Sequence, residues 1–208
     1  MPKGSEELTN ARKEEIVNAC EALYETMSFK DITLQEIGRK TSFTRTSIYN
    51  YFHTKEEIFL SLLEREHELW IRDLEKILEK PRPVSSGEFA GELAGTLEKR
   101  KCMLKLMSMN LYDLEINSRM ENLVSFKKVY ARTLETLSGC LKKFFASMTD
   151  LDIQEFLYAL FPFLFGVYPY TEASEKQKEA MELAHVQYIR YSIYEITKSL
   201  VMKLLQNF

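Results

Sequence analysis

Glycine and proline are scarce in this sequence, seven and five among 208 residues, which fits a chain that is mostly helix. No segment alternates apolar and polar residues convincingly, so strands are not expected and the fold class is all-α. Cysteine is as thin: Cys20, Cys102 and Cys140 are odd in number, far apart and outside any C-x-x-C pattern. That removes a disulfide framework and a zinc knuckle and leaves buried free thiols. His53, His67 and His185 are too scattered for a metal site, and there is no G-x-S-x-G, P-loop, Rossmann glycine pattern or H-E-x-x-H. Enzyme readings lose their footing, and neither a cofactor nor a metal is expected. The longest uncharged run, Phe156 to Thr171, falls short of the roughly 20 residues of a membrane helix and contains Pro162 and Pro169. It reads as buried helix. The start "MPKGSEELTNARKEE" lacks the apolar core of a signal peptide, so a reducing, cytoplasmic setting is expected. An excess of positive charge is missing too: the net charge of -3 argues against a protein that coats nucleic acid by bulk electrostatics.

One stretch reverses that balance locally. From Ile37 to Lys55 there is no Asp or Glu, while Arg39, Lys40, Arg45, His53 and Lys55 are kept. Around it, Ile16, Ala19, Ala22 and Leu23 at helical spacing give a helix from about residue 10 to 28. Two T-x-x-E capping boxes follow, Thr33 with Glu36 and Thr54 with Glu57, with Thr44 as an N-cap between them. Helices are therefore expected at about 34 to 40, 45 to 51 and 55 to 79. Pro81, Pro83, Ser85, Ser86 and Gly87 break the pattern. Further helices are expected at about 86 to 98, 101 to 117, 119 to 147, 150 to 168 and 175 to 206, about nine in all.

If Ile48 and Phe52 turn inward, helical geometry sends Arg45, Thr46, Tyr49 and Asn50 outward together. Arg can bind guanine edges or phosphate, Asn can pair with adenine, and Tyr and Thr hydroxyls can hold phosphate oxygens. A two-turn helix behind a short turn matches a helix-turn-helix whose second member enters the major groove. Carboxylates here would face phosphates, and Lys55 at the start of its helix offers positive charge. The competing reading is a solvated face that lacks acids by chance.

The stretch "ITLQEIGRKTSFTRTSIYNYFHTKEEIFLSLLE", above all "SIYNYFHTKEEI", resembles the TetR family of bacterial transcription regulators, whose signature is T-[IL]-Y-x-[YH]-F-x-[SN]-K-x-x-[IL]. The resemblance implies that Arg45, Thr46, Ser47, Tyr49, Asn50 and Tyr51 form the DNA-recognition surface, with Thr44 at its start. It also implies that Lys55, Thr33 and Gln35 hold phosphates at two helix N-termini. Two departures stand out: Thr41, Ser42 and Phe43 replace the small-Gly-apolar turn, and Gly38 sits where the family commonly has Ala.

By the same resemblance, residues 1–54 form a helix-turn-helix DNA-binding domain, and a long helix joins it to a ligand-sensing and dimerisation domain, 55–208. Candidate pocket residues for a largely apolar small-molecule effector of unknown identity are Met103, Met107, Tyr112, Phe126, Tyr130, Phe161 and Phe165; ordinary core is the alternative for each. Gly87, Gly91 and Gly95 soften their helix, close packing against a neighbour being the slightly favoured reason. The last two helices are the candidates for a homodimer interface, the final one carrying a surplus of apolar positions in Leu183, Val186, Tyr188, Tyr191, Ile193, Ile196 and Leu200. The expected function is a ligand-responsive one-component regulator, a repressor that binds a palindromic DNA operator. The alternative is a helical small-molecule-binding or protein-interaction module without DNA binding.

Overall fold

The computed structural model describes residues 3–43, 45–187 and 189–208; the side chains of residues 1–5, 45, 46 and 109 lie outside the description. Among the described residues there are eleven helices and no strand. In chain order they are α1 (Lys3–Tyr24), α2 (Leu34–Arg39), α3 (Arg45–Ile48), α4 (Lys55–Leu78), α5 (Ser86–Glu98), α6 (Lys101–Met109), α7 (Leu111–Ile116), α8 (Met120–Phe144), α9 (Asp150–Thr171), α10 (Glu175–Leu183) and α11 (Ile193–Leu204). The chain divides into two compact units, one of residues Met1–Arg65 and Asn110–Val129, the other of Glu66–Met109 and Tyr130–Phe208.

The first unit closes around Ile16, Cys20, Ile32, Ile37, Ile48, Phe52, Ile58, Phe59 and Leu62, all buried. These positions recur at the three- and four-residue spacing that puts one helix face inward. Phe59 sits between the rings of Tyr24 and Phe29, edge-on at 5.1 and 4.8 Å. The segment of α7 and early α8 joins this unit through the Tyr24 hydroxyl, which donates to Asn110 Oδ1 at 2.9 Å.

The second unit packs α5 against α11, and α6 and α11 against α9. Close approach explains one of the three helical glycines of α5, Gly91, while Gly87 leaves room for ordinary contact. A Cβ on Gly91 would stand 3.2 Å from Tyr194 Oη, and one on Gly87 3.9 Å from Met202 Sδ, whereas Gly95 has nothing within 4 Å. The unit's centre is polar as well as aromatic. Trp70 Nε1–H donates to Thr96 Oγ1 at 2.9 Å, His67 Nδ1 lies 3.2 Å from Thr133 Oγ1, and Tyr130 meets Phe161 edge-on at 5.4 Å.

Two expected helices are each broken in two, which raises nine to eleven. The one expected over 101 to 117 stops at Asn110, whose φ of −139° leaves the helical region and whose side chain makes no cap. That side chain accepts from Tyr24 instead. The one expected over 175 to 206 ends at Leu183, because His185 takes a φ of 53°. Val186 N then donates to Met181 O and His185 N to Glu182 O, the paired bonds of a Schellman cap. The helix restarts at a Ser192–Glu195 capping box.

A third correction concerns α3, a four-residue helix rather than one reaching residue 51. Asn50 N bonds to Ser47 O, and Tyr51 N and Phe52 N both bond to Ile48 O, so the chain leaves α3 through a hydrogen-bonded turn over 49–51.

Candidate nucleic-acid interface

The two threonine caps form by half. Thr33 Oγ1 accepts from Glu36 N at 3.2 Å, but the Glu36 carboxylate turns to Arg39 at 2.8 Å instead of reaching back. Thr54 Oγ1 accepts from Glu57 N at 3.2 Å, and Glu57 Oε2 accepts from His53 N at 2.7 Å, one residue upstream of the expected partner. Both helix starts border an open hollow of about 440 Å³ lined by Ile32, Thr33, Leu34, Gln35, Thr54, Lys55 and Glu56. Thr33 and Gln35 are exposed beside it. The unpaired N–H groups and positive dipole ends of two helices thus lie at one concavity.

Lys55 is differently employed from the free cation that sequence suggests. Its ammonium donates to Phe29 O at 2.6 Å and Ile32 O at 3.1 Å, and stands 4.3 Å from the centroid of the Phe29 ring. The carbonyls that end the α1–α2 connection therefore hold it in place.

Around α3, Ile48 and Phe52 are 0% and 3% exposed and point inward. Tyr49 and Asn50 lie on the opposite, exposed side, and Ser47 is half-buried. Tyr51 is anchored: its ring lies 6.4 Å from that of Phe43, its hydroxyl accepts from Arg12 at 3.3 Å, and its carbonyl accepts from Arg119 at 3.3 Å. The turn before α3 is held to α1, since Ser42 donates through both its backbone N and its Oγ to the carboxylate of Glu15. Thr41 Oγ1 lies within hydrogen-bonding distance of Gly38 O and Phe43 O. These bonds do the work that a glycine turn does by conformation. Thr44 and the side chains of Arg45 and Thr46 fall outside the described residues.

An ion pair between a buried carboxylate and a half-buried guanidinium adjoins this surface. Glu57 is fully buried; Arg119 donates to its Oε1 from Nε at 2.6 Å and from the backbone N at 3.1 Å, and to its Oε2 from Nη2 at 3.0 Å. Burial alone pushes the Glu57 carboxyl up. The Arg119 side-chain bonds, then the His53 and Arg119 N–H groups and the guanidinium charge, overcome it and hold the carboxyl below its ordinary value.

The candidate pocket residues divide between the units. Phe126 is buried and Tyr112 76% exposed in the first; in the second, Met103, Met107 and Phe161 are buried and Tyr130 and Phe165 half-buried. Tyr112 stands out because α7 is a single six-residue helix that buries only Leu114.

The family model described as bacterial regulatory proteins, tetR family, matches residues 16–62, and the one described as tetracyclin repressor-like, C-terminal domain, matches residues 64–206. The chain belongs to the TetR family. Membership makes the protein a DNA-binding transcription regulator of the ligand-responsive kind. Over 78 residues the regulator is 28% identical to the uncharacterized HTH-type transcriptional regulator YfiR of Bacillus subtilis (strain 168), a match spanning 38% of either chain. Its fold is shared with the fatty acid degradation regulator FadR of Bacillus halodurans, at 16% identity and a TM-score of 0.61 over 95% of this chain and 96% of that one. It is shared equally with FadR of Bacillus subtilis in complex with stearoyl-CoA, at 17% identity and a TM-score of 0.60 over 94% and 98%.

Proposed function

We propose that the regulator is a cytoplasmic repressor that binds a palindromic operator as a homodimer and releases it when a largely apolar small molecule enters the C-terminal domain. The observation that carries the reading is the exposed, acid-free side of α3 and the turn after it, where Tyr49 and Asn50 are backed by buried Ile48 and Phe52 and flanked by the N-termini of α2 and α4. Arg45, Thr46, Ser47 and Asn50 read base edges in the major groove. Thr44, Tyr49, Tyr51 and the N–H groups at the starts of α2 and α4 that Thr33 and Thr54 leave uncapped hold the flanking phosphates, with Thr33 and Gln35 beside them. Residues 1–54 are the part that meets DNA, and 55–208 the part that senses and dimerises.

Homodimerisation through the last helices is supported by what they leave uncovered. α9 buries Ile153, Phe156, Leu160, Phe161, Leu164 and Val167 on one face, yet Leu151, Tyr158 and Tyr170 are 62%, 70% and 69% exposed. α10 buries none of its residues. By length and composition α9 could cross a membrane, but its buried face packs on α6 and α11 of the same unit, as a core helix does. A second copy of the chain matches the two-fold symmetry of a palindromic site. For the effector, Met103, Met107, Tyr130, Phe161 and Phe165 supply an apolar, adaptable lining. The stearoyl-CoA held by Bacillus subtilis FadR makes long-chain acyl thioesters the first class to test.

The test is selection of bound duplexes from random-sequence DNA with the purified protein, followed by mobility shifts with and without acyl-CoA. An enriched inverted repeat, shifted by a dimer and released by the thioester, is the expected result. Enrichment of no sequence overturns the DNA-binding reading; an operator complex indifferent to every acyl-CoA overturns the effector class alone.

A further inference from the structure

We propose that Arg119 is a positioning residue for DNA recognition: it fixes the direction of α3 by clamping the α3–α4 corner to the α7–α8 corner through the carboxylate of Glu57. The inference rests on the reading of α3 as the element that meets DNA.

α3 has four residues, too few to hold a helical geometry by itself. Its direction is therefore set by whatever grips its ends. On the core side the grip is Ile48 and Phe52. At its C-terminal end the grip is polar and comes from 68 residues away: Nη2 of Arg119 donates to the carbonyl of Tyr51, and the carboxylate that Arg119 holds accepts the N–H of His53. The two bonds bracket Phe52, the residue that turns the chain from α3 into α4.

The clamp is closed chemically. Four donors, His53 N, Arg119 N, Nε and Nη2, fill the two oxygens of Glu57, about as many as a carboxylate accepts. The Nε and Nη2 pair gives the guanidinium a two-pronged hold, so its plane as well as its position is fixed. A further bond runs the other way across the same joint: Thr54 Oγ1 donates to Asn117 O at 3.1 Å. An ion pair exposed on both sides would contribute little; here the guanidinium is 35% exposed and also meets Glu121 at 3.2 Å, but Glu57 is 0% exposed and depends on these donors. Moving the corner at residues 117 to 119 moves the end of α3 with it.

The experiment uses the full-length chain, an operator duplex from the random selection and a scrambled duplex, with Arg119→Gln, Arg119→Lys, Glu57→Gln and the Glu57→Gln/Arg119→Gln double variant. A misdirected α3 loses the operator and keeps salt-driven binding. Arg119→Gln should therefore cut operator affinity by about tenfold or more while scrambled DNA changes by no more than about twofold, and the double variant should be no worse than the single. Arg119→Lys, which keeps the charge but not the fork, should fall between. In nitrogen–proton spectra the amide signals of Tyr51, Phe52 and His53 should shift in Arg119→Gln. The proposal is overturned if the operator-to-scrambled ratio stays at the parent's value, or if both duplexes weaken together in step with the folded fraction. Should the parent select no DNA, the reading of α3 fails by itself; unshifted Tyr51 and His53 amides would then overturn the clamp as well, and shifted ones would support it.

Discussion

Replacing Lys55 with alanine should loosen the folded protein before it touches DNA. The ammonium donates to Phe29 O and Ile32 O at 2.6 and 3.1 Å and sits 4.3 Å from the Phe29 centroid. Hydrogen bonds to a charged group contribute about 1.5 kcal/mol each at the low end, suited to a half-buried site. The ring adds roughly 0.5 kcal/mol. Against that sum, alanine recovers about 1.5 kcal/mol of side-chain entropy that the ordered lysine gives up. The net loss is about 2 kcal/mol, which corresponds to roughly thirtyfold faster opening of the α1–α2 connection. Amide hydrogen exchange at Ile32, Leu34 and Ile37 reads this directly, with Lys55→Met as the variant that keeps the apolar stem. Parent-like exchange in Lys55→Ala, together with a uniform loss on every DNA sequence, would refute the reasoning and return the ammonium to a phosphate.

Acid should weaken the fold through Glu57. Its carboxyl titrates below its ordinary 4.5 in the folded chain, so the stability it supplies is complete above that value and is lost as pH falls through the depressed one. Urea midpoints of the parent and Glu57→Gln should thus converge as pH falls below 4.5, and parallel acid limbs would count against the assignment. Gly95→Ala meets empty space and should stabilise by about 1 kcal/mol, a rise in Tm of roughly 3 °C by calorimetry, where a fall would show unseen crowding. Tyr158→Glu, on the uncovered face of α9, should shift sedimentation from dimer to monomer; an unchanged sedimentation coefficient would move the interface elsewhere.

What sequence could show was decided by the range of each interaction. Ile48 and Phe52 could be turned inward on paper because a 3.6-residue period needs only near neighbours, and Tyr49 and Asn50 followed to the opposite side. The carboxylates of Glu36 and Glu57 left their expected partners because Arg39, three residues away, and Arg119, 62 residues away, offer them stronger, charged donors than a backbone N–H. The carbonyl partners of Lys55 could not be read, because they lie 23 and 26 residues away in a connection with no pattern of its own. Arg119, 62 residues from Glu57, gave no local signal at all. The break before α11 was readable, since Ser192 and Glu195 spell a capping box like those at Ser85, Thr149 and Ser174. The apolar residues on either side hid it. His185 in a left-handed conformation could not be foreseen, as glycine or asparagine is the usual occupant of that place.

The measurement that bears most directly on the account is a paired selection from random-sequence DNA, one arm with the parent and one with Asn50→Ala. If α3 reads bases, the parent enriches an inverted repeat, and the variant enriches the same repeat with its preference relaxed at one position in each half-site, a loss of about 1 to 3 kcal/mol there and little elsewhere. Identical motifs from both arms, or none from either, would contradict the claim that this face of α3 reads DNA.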